Sequence, residues 1–393
     1  MAARSSKAGD ILAILREGSP RTRSELAALT GQARSTVGQR LQELIAAGLV
    51  GETLHANTGG RPSTAYTFLG HSQVALAADV GVHHAVLAVT TLRAEVIEHW
   101  SGGIDIADGP GVVVPAIIER FIELLTQAGR DAGDVAGVGI GLPGPVEFET
   151  GRLISPPIMP GWDGYDVAGA FTRAFGCPAL VDNDANVLAI GEQLSRWPDV
   201  QNLIYLKIGA GIGAGIIVNG AICRGARGAA GDIGHVYTSL AEDRPCRCGN
   251  SGCVEAVAGG EALAATLAAK GLPAKTPADV VALARAGNLE TTHLLREAGR
   301  AIGSVLATCI AILNPEVIVL GGEIAEIGEP VIAGVRESVY RRALPMASQH
   351  LQVVQATGRG LEGVVGAAQL VLAEVLRPEA VEHTLSALTV VDD

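Results

Sequence analysis

Apolar residues recur at helical spacing in three short runs near the start of the chain and then give way to brief β-like runs. Ile11, Leu12 and Leu15 form one stripe within Asp10 to Glu17, and Leu26 and Leu29 a second within Thr22 to Leu29. Val37, Leu41, Leu44 and Ile45 form a third within Ala33 to Ala46. Each stripe is narrow, so three helices packed on one another are predicted. Thr22 and Ser24 are candidate caps of the second helix, Gly31 ends it, and Gly48 ends the third. Only a few residues separate the second helix from the third, which is the spacing of a helix-turn-helix. Runs near Val50 to His55 and Ala65 to Leu69 flank Asn57-Thr58-Gly59-Gly60-Arg61-Pro62, a turn suited to a wing.

From Val74 onward the pattern changes to short apolar strands, helices and glycine turns. Val74 to Val80 and Ala85 to Thr90 read as a hairpin around Asp79-Val80-Gly81-Val82-His83-His84, followed by a strand near Glu95 to Trp100. A helix from about Gly111 to Gln127 leads to a strand, Val135 to Ile140, and a second helix near Val167 to Phe175 leads to Ala179 to Val181. That strand delivers Asp182-Asn183-Asp184-Ala185-Asn186 into a further helix. The plan then partly repeats. Leu203 to Ile208 and Gly213 to Val218 make a hairpin around Gly209-Ala210-Gly211, and Val317 to Leu320 is a buried strand ending at Gly321-Gly322. Two such halves with facing glycine turns predict a cleft between lobes, and backbone N–H groups at such turns can hold phosphates. After Arg377-Pro378 the chain is expected to end in a short helix or a loose tail.

Composition sharpens this plan. With 393 residues, 48% of them hydrophobic and 18% charged, general disorder is excluded and two or three domains are expected. The divisions predicted are a winged helix over 1–70, a first α/β lobe over 71–190 plus about 360–393, and a second lobe over 191–359. Glycine is abundant, at 51 residues, and aromatics make up only 3%, which suits a sugar or nucleotide fold better than an aromatic-stacking reader of nucleic acid. The longest uncharged apolar helical candidate, Ala301 to Leu313, is too short to span a bilayer, and a cytoplasmic location is expected.

Charge is unevenly distributed. Residues 1–70 hold eight Lys/Arg against five Asp/Glu, so the rest of the chain carries more than the whole net charge of −12. A basic unit on an acidic body points to an anionic partner for the first unit alone. The third helix leaves Arg34, Ser35, Thr36, Gln39 and Arg40 off its apolar stripe, the residue types that reach phosphates and base edges in a major groove. A solvated helix face would use similar residues. The whole arrangement of three helices, wing and local positive charge points to double-stranded DNA, with Arg61 placed for a minor groove or a phosphate.

The six cysteines do not form an extracellular disulfide framework. His235, Cys246, Cys248 and Cys253, spaced His-x10-Cys-x-Cys-x4-Cys, supply the four ligands that tetrahedral zinc requires. Four protein ligands close the coordination sphere, so the expected Zn2+ is structural; free buried thiols are the alternative. Cys177, Cys223 and Cys309 sit in apolar surroundings and read as core residues.

Gly139-Ile140-Gly141-Leu142-Pro143-Gly144-Pro145, Asp182-Asn183-Asp184-Ala185-Asn186, the run Gly225 to His235, and Cys246-Arg247-Cys248-Gly249-Asn250-Ser251-Gly252-Cys253-Val254-Glu255 together resemble the ROK family of repressors, open reading frames and sugar kinases. The resemblance covers about residues 75 to 376 and implies a two-lobed, actin-like sugar-kinase fold, here behind the winged helix of the family's regulator branch. It places Asn183 and Asp184 on the family's sugar-binding pair, with Asp184 matching the carboxylate that takes the sugar hydroxyl proton in the kinases. Asp232, His235 and Glu255 match further sugar contacts, although kinases usually have Glu at the position of Asp232. On the nucleotide side it implies Asp79, Gly81, Gly209, Gly211, Gly321 and Gly322. There the chain departs from the kinases: Val82 and His83 replace a glycine and a hydroxyl donor, and Ala210 replaces a threonine. A β-branched residue resists positive φ and crowds a phosphate loop, so use of ATP and Mg2+ is not expected.

The function expected is a sugar-responsive transcriptional regulator, a repressor of carbohydrate-metabolism genes. The winged helix would bind a palindromic operator, and a sugar or sugar phosphate would bind the former kinase cleft. Because a helix-turn-helix covers only a half-site, a homodimer or homotetramer is expected. The alternative is an ATP-dependent sugar kinase of hexokinase type carrying a DNA-binding arm, with Asp184 catalytic; a protein effector is a third reading.

Overall fold

The computed structural model describes residues 7–55, 63–156, 159–356 and 360–391. The proposed wing turn Asn57 to Pro62, and with it Arg61, lies outside the described residues.

The chain opens with α1 (Ala8–Arg16), β1 (Arg21–Thr22), α2 (Arg23–Thr30), α3 (Arg34–Ala46), β2 (Val50–His55) and β3 (Ser63–Phe68). Thr22 caps α2: its side chain accepts from Glu25 N, and the Glu25 carboxylate accepts from Thr22 N at 2.7 Å. Gly31 ends the helix in the left-handed region at φ 69°. Strand β3 pairs antiparallel with both β1 and β2. Ile11, Leu12, Leu15, Leu26, Val37, Leu41 and Leu44 are buried together. Leu29 differs from the periodic expectation and is 57% exposed. Helix α2 is only eight residues long and buries Leu26 alone, so it has no second inward turn for Leu29.

The first half of the body contains β4 (Val74–Val80), β5 (His84–Thr91), β6 (Val96–Gly103), α4 (Pro110–Gln127), β7 (Val135–Leu142), β8 (Val146–Glu147), β9 (Arg152–Leu153), α5 (Val167–Phe175), β10 (Ala179–Asn183) and α6 (Asp184–Arg196). The second contains β11 (Leu203–Ile208), β12 (Ile212–Val218), β13 (Ala221–Ile222), α7 (Glu255–Ala258), α8 (Gly260–Ala269), α9 (Pro277–Arg285), α10 (Leu289–Leu313), β14 (Val317–Gly321), α11 (Glu329–Arg342), α12 (Pro345–Ser348) and β15 (Gln352–Gln355). Two helices follow, α13 (Glu362–Val375) and α14 (Pro378–Val391).

The two five-stranded sheets share one topology. The first runs β6-β5-β4-β7-β10 and the second β13-β12-β11-β14-β15. In each, a central strand pairs antiparallel with the next strand and parallel with the first crossover strand. The strand ending at Val181 in the sequence reading continues to Asn183, so Asp184 opens α6 directly.

Helices α6 and α13 lie between the sheets. Helix α13 packs on β4, β5 and β7 and along α6, which also touches β11 and β12. The two helices come so close that a Cβ on Gly366 would sit 1.8 Å from the Val187 carbonyl oxygen, and one on Gly191 1.7 Å from that of Glu362. The C-terminal segment is the helix α14, and it packs on α1. Gly9 makes that contact possible: its N–H donates to Glu382 Oε1 at 3.2 Å, and a Cβ there would lie 2.4 Å from Pro378. The winged-helix core is therefore continuous with Leu372, Leu376, Val381 and Leu385 and with Ala75, Ala77 and Ala88 of the first sheet. Among the described residues no helix is long and apolar enough to cross a membrane.

The crossing yields a prediction opposite to helix propensity. Alanine normally stabilises a helix interior by about 1 kcal/mol over glycine. Gly366→Ala is instead expected to cost about 1–3 kcal/mol net, because its Cβ collides with backbone that cannot move aside. Thermal denaturation of the variant against wild type checks the sign.

Candidate functional site

A cleft of about 560 Å³ opens between the two sheets. The first half contributes Asp79, Gly81, Val82 and His83; the second contributes Lys207, Gly209, Ala210, Gly321 and Gly322; α13 contributes Glu362 and Gly363. All six residues assigned to the nucleotide side except Gly211 line this space. Some of their backbone donors are already used. Gly81 N–H donates to His84 O at 2.7 Å, and Gly209 N–H to Gly211 O at 3.0 Å. Those two amides point at their own turns and not at a phosphate in the cleft.

At the head of α6, Asn183 works as a cap. Its Oδ1 accepts from Ala185 N at 2.9 Å, and its Nδ2 donates to Gly144 O at 2.9 Å, tying the Gly141–Pro145 loop to the helix start. Asp182 is buried and accepts from Asn186 Nδ2 at 2.7 Å and from Arg224 Nε at 2.8 Å. The Arg224 guanidinium also stacks 3.8 Å from the centre of the Phe148 ring. Asp184 is ion-paired with Lys207 Nζ, reaching across from β11. Burial pushes the Asp79 carboxyl up to about 6, opposed by Lys207 and reinforced by Asp184 and Glu362. The Lys207 ammonium is raised because Asp184 and Asp79 outweigh the cost of its burial.

A second group forms around the β11–β12 turn. Glu255 Oε2 accepts from Ile212 N at 2.9 Å, which anchors α7 to that turn, and Arg247 pairs with the other oxygen at 3.6 Å. Asp232 lies close enough to His235 and Glu255 for all three to interact electrostatically, and burial raises its carboxyl above the ordinary range.

His235, Cys246, Cys248 and Cys253 converge with their donor atoms all within 4.8 Å of one another. Cys248 Sγ is 3.7 Å from Cys253 Sγ, and Cys246 Sγ is 3.6 Å from His235 Nδ1. A tetrahedral ion bound at about 2.3 Å to sulfur and 2.0–2.1 Å to nitrogen requires edges of about 3.8 and 3.5 Å. The donor set therefore fits a tetrahedral metal ion. Burial, together with the neighbouring Cys248 and Cys246 sulfurs, pushes the Cys253 thiol up to about 12, whereas the Asn250 backbone holds Cys248 below the usual thiol range. A bound divalent cation would reverse the first effect and hold the sulfur as thiolate.

Sequence comparison now bears on this geometry. Residues 75–374 match the ROK family. The chain belongs to that family. A helix-turn-helix domain family matches residues 6–52. Over 370 residues the chain is 28% identical to the putative xylose repressor of Caldicellulosiruptor sp. (strain Rt8B.4), covering 90% of this chain and 92% of that one. It is also 28% identical over 309 residues to the glucokinase of Halalkalibacterium halodurans, covering 75% of this chain and 93% of the enzyme. A crystallised ROK family transcriptional regulator, a homologue of the E. coli MLC protein, has the same fold: TM-score 0.80 at 24% identity over 96% of this chain and 98% of that one.

Within this ROK chain the residues that the sequence resemblance put on the sugar side fall into two groups. Asp184 sits with Asp79 and Lys207, while Asp232, His235 and Glu255 cluster around the β11–β12 turn, and His235 also belongs to the cysteine set. On α3, Arg34, Ser35, Thr36 and Gln39 are exposed. Arg40 is half-buried, ion-paired to Glu43 at 2.9 Å and within electrostatic reach of Glu382 on α14. The reading from sequence passed over Lys207, Arg224 and Arg247. The available signal for Lys207 was a lone charge inside the apolar run Leu203 to Ile208.

The metal fit predicts that the purified chain retains a stoichiometric metal ion and that Cys253→Ser loses it. Elemental analysis reads the metal. Thermal denaturation with and without chelator should show a lower midpoint for the stripped protein and for the variant.

Proposed function

We propose that this chain is a sugar-responsive transcriptional repressor. The winged helix would bind a palindromic operator through Arg34, Ser35, Thr36 and Gln39 of α3, with Arg40 placed more for the helix's own packing. A sugar or sugar phosphate would bind around Asn183, Asp184, Asp232, His235 and Glu255. Since one helix-turn-helix covers a half-site, the working unit would be a homodimer or homotetramer.

The observation that carries this reading is the shared core of the winged helix and the cleft-bearing body. Helix α13 starts at the cleft, where Glu362 and Gly363 line it, and leads into α14, which packs on α1. A ligand that prefers one lobe arrangement therefore shifts the platform on which the winged helix sits. A tenfold change in DNA affinity requires only about 1.4 kcal/mol of such preference. The extent of the similarity to the putative xylose repressor, 90% of this chain, supports the same reading; the similarity to glucokinase covers 75% of it.

The metal in this reading is zinc, held by His235, Cys246, Cys248 and Cys253. Four protein ligands leave no open position, so it would brace the loop that positions Asp232 and Glu255. His235 would couple the brace to the sugar.

The test is a gel-shift on DNA upstream of the chain's own gene, at stated salt, titrated with hexoses, pentoses, their N-acetyl forms and their phosphates. Specific binding released by one compound is expected. Asp184→Ala should keep DNA affinity within a few-fold while the releasing concentration of sugar rises about tenfold or more. Unchanged release by Asp184→Ala would remove the pocket assignment, and absence of specific DNA binding would remove the repressor reading.

A further inference from the structure

Lys207 is the one charged residue in β11, flanked by Leu203, Ile204, Tyr205, Leu206 and Ile208. An ammonium placed in such a strand is costly unless carboxylates receive it. Two do, and they come from different elements: Asp79 near the end of β4 and Asp184 at the first position of α6. The ammonium bonds to Asp184 Oδ2, and Lys207 and Asp79 both face the glycine-lined cleft. A third carboxylate, Glu362 at the start of α13, adds its field to Asp79.

Phosphoryl transfer from a nucleoside triphosphate needs a divalent cation on the phosphate oxygens, held by one or two carboxylates, and a carboxylate able to take the acceptor's proton. The carboxylates beside the glycine turns are the groups that would serve both needs. Here a tethered monocation is already bonded to Asp184 and within electrostatic reach of Asp79. A Mg2+ ion brought to Asp79 or Asp184 would meet that ammonium at close range and would have to displace it from its salt bridge. Its stem is anchored in the central strand of the second sheet, so a displaced ammonium would stay within a side chain's length of the site.

We infer that Lys207 is a built-in counter-ion that takes the place of a divalent cation in the cleft, so that the cleft does not take up a metal–nucleotide complex. Lys207 thus joins Val82, His83 and Ala210 in separating this cleft from a phosphoryl-transfer site. The inference rests on the reading of the chain as a regulator that does not transfer phosphate, but its consequence for metal affinity is read with neither sugar nor DNA present.

The experiment is a Mn2+ titration of the full chain, followed by electron paramagnetic resonance of the free ion, for wild type, Lys207→Met and Lys207→Met with Asp79→Asn. Lys207→Met keeps the length of the side chain and removes its charge. It is expected to bind Mn2+ about tenfold or more tightly than wild type, and the added Asp79→Asn should abolish the gain. Wild-type Mn2+ binding that Asp79→Asn alone removes would overturn the inference. So would a folded Lys207→Met, with normal circular dichroism and normal content of the cysteine-bound metal, that gains no Mn2+ affinity. If Lys207→Met does not fold, wild type and Asp79→Asn decide the matter: equal, weak Mn2+ binding by both supports the counter-ion, and tighter binding by wild type contradicts it.

Discussion

Helices α6 and α13 touch backbone to backbone between the two sheets, and the other contacts of the molecule are arranged around that crossing. Gly191 and Gly366 permit it, since a side chain at either position would enter the carbonyl of the opposite helix. Gly366 meets Val187 while Gly191 meets Glu362, so the two helices run antiparallel. Asp184, the first residue of α6, and Glu362, the first of α13, both act on the buried carboxyl of Asp79. The far end of α13 passes into α14, and α14 is part of the winged-helix core. One rigid contact thus links the chemistry of the cleft to the placement of the DNA-binding unit.

Electrostatics in the cleft follow from that placement. Carboxylates gathered in a partly dry space repel one another, and burial raises Asp79 to about 6. Lys207 offsets this from the opposite sheet, and in doing so bridges the two halves. The cost of burying the ammonium and the cost of crowding the carboxylates are relieved by a single ion pair. Removing either partner of the pair would leave the other buried and unpaired, and the arrangement is specific because Lys207, Asp184 and the neighbouring Asp79 sit on three different elements.

Local features of the chain were legible in its sequence, and long-range ones were not. The winged helix could be read because each helix carries its own stripe, the Thr22 cap and the Gly31 stop, all within a few residues. The cysteine cluster could be read because three of its four members fall within eight residues, and the family resemblance added the Asp182–Asn186 turn. Both hairpin-headed halves followed from apolar runs broken by glycine. The return of α14 to α1 left no periodic signal: it depends on Gly9 meeting Pro378 from the opposite end of the chain. Lys207 was equally hidden, since a charge in an apolar run shows that something must neutralise it without saying what. The exposure of Leu29 and the pairing of Arg40 with Glu43 likewise depend on neighbours that a helical wheel does not include.

The central claim is that sugar in the cleft acts on the winged helix through α13 and α14. Hydrogen–deuterium exchange of the full chain, with and without the sugar that releases DNA, tests it most directly. The account predicts altered exchange at the start of α6, along α13, and at the α14–α1 contact, far from any atom that touches sugar. Altered exchange confined to the cleft and the cysteine loop, with α14 and α1 unchanged, would contradict it.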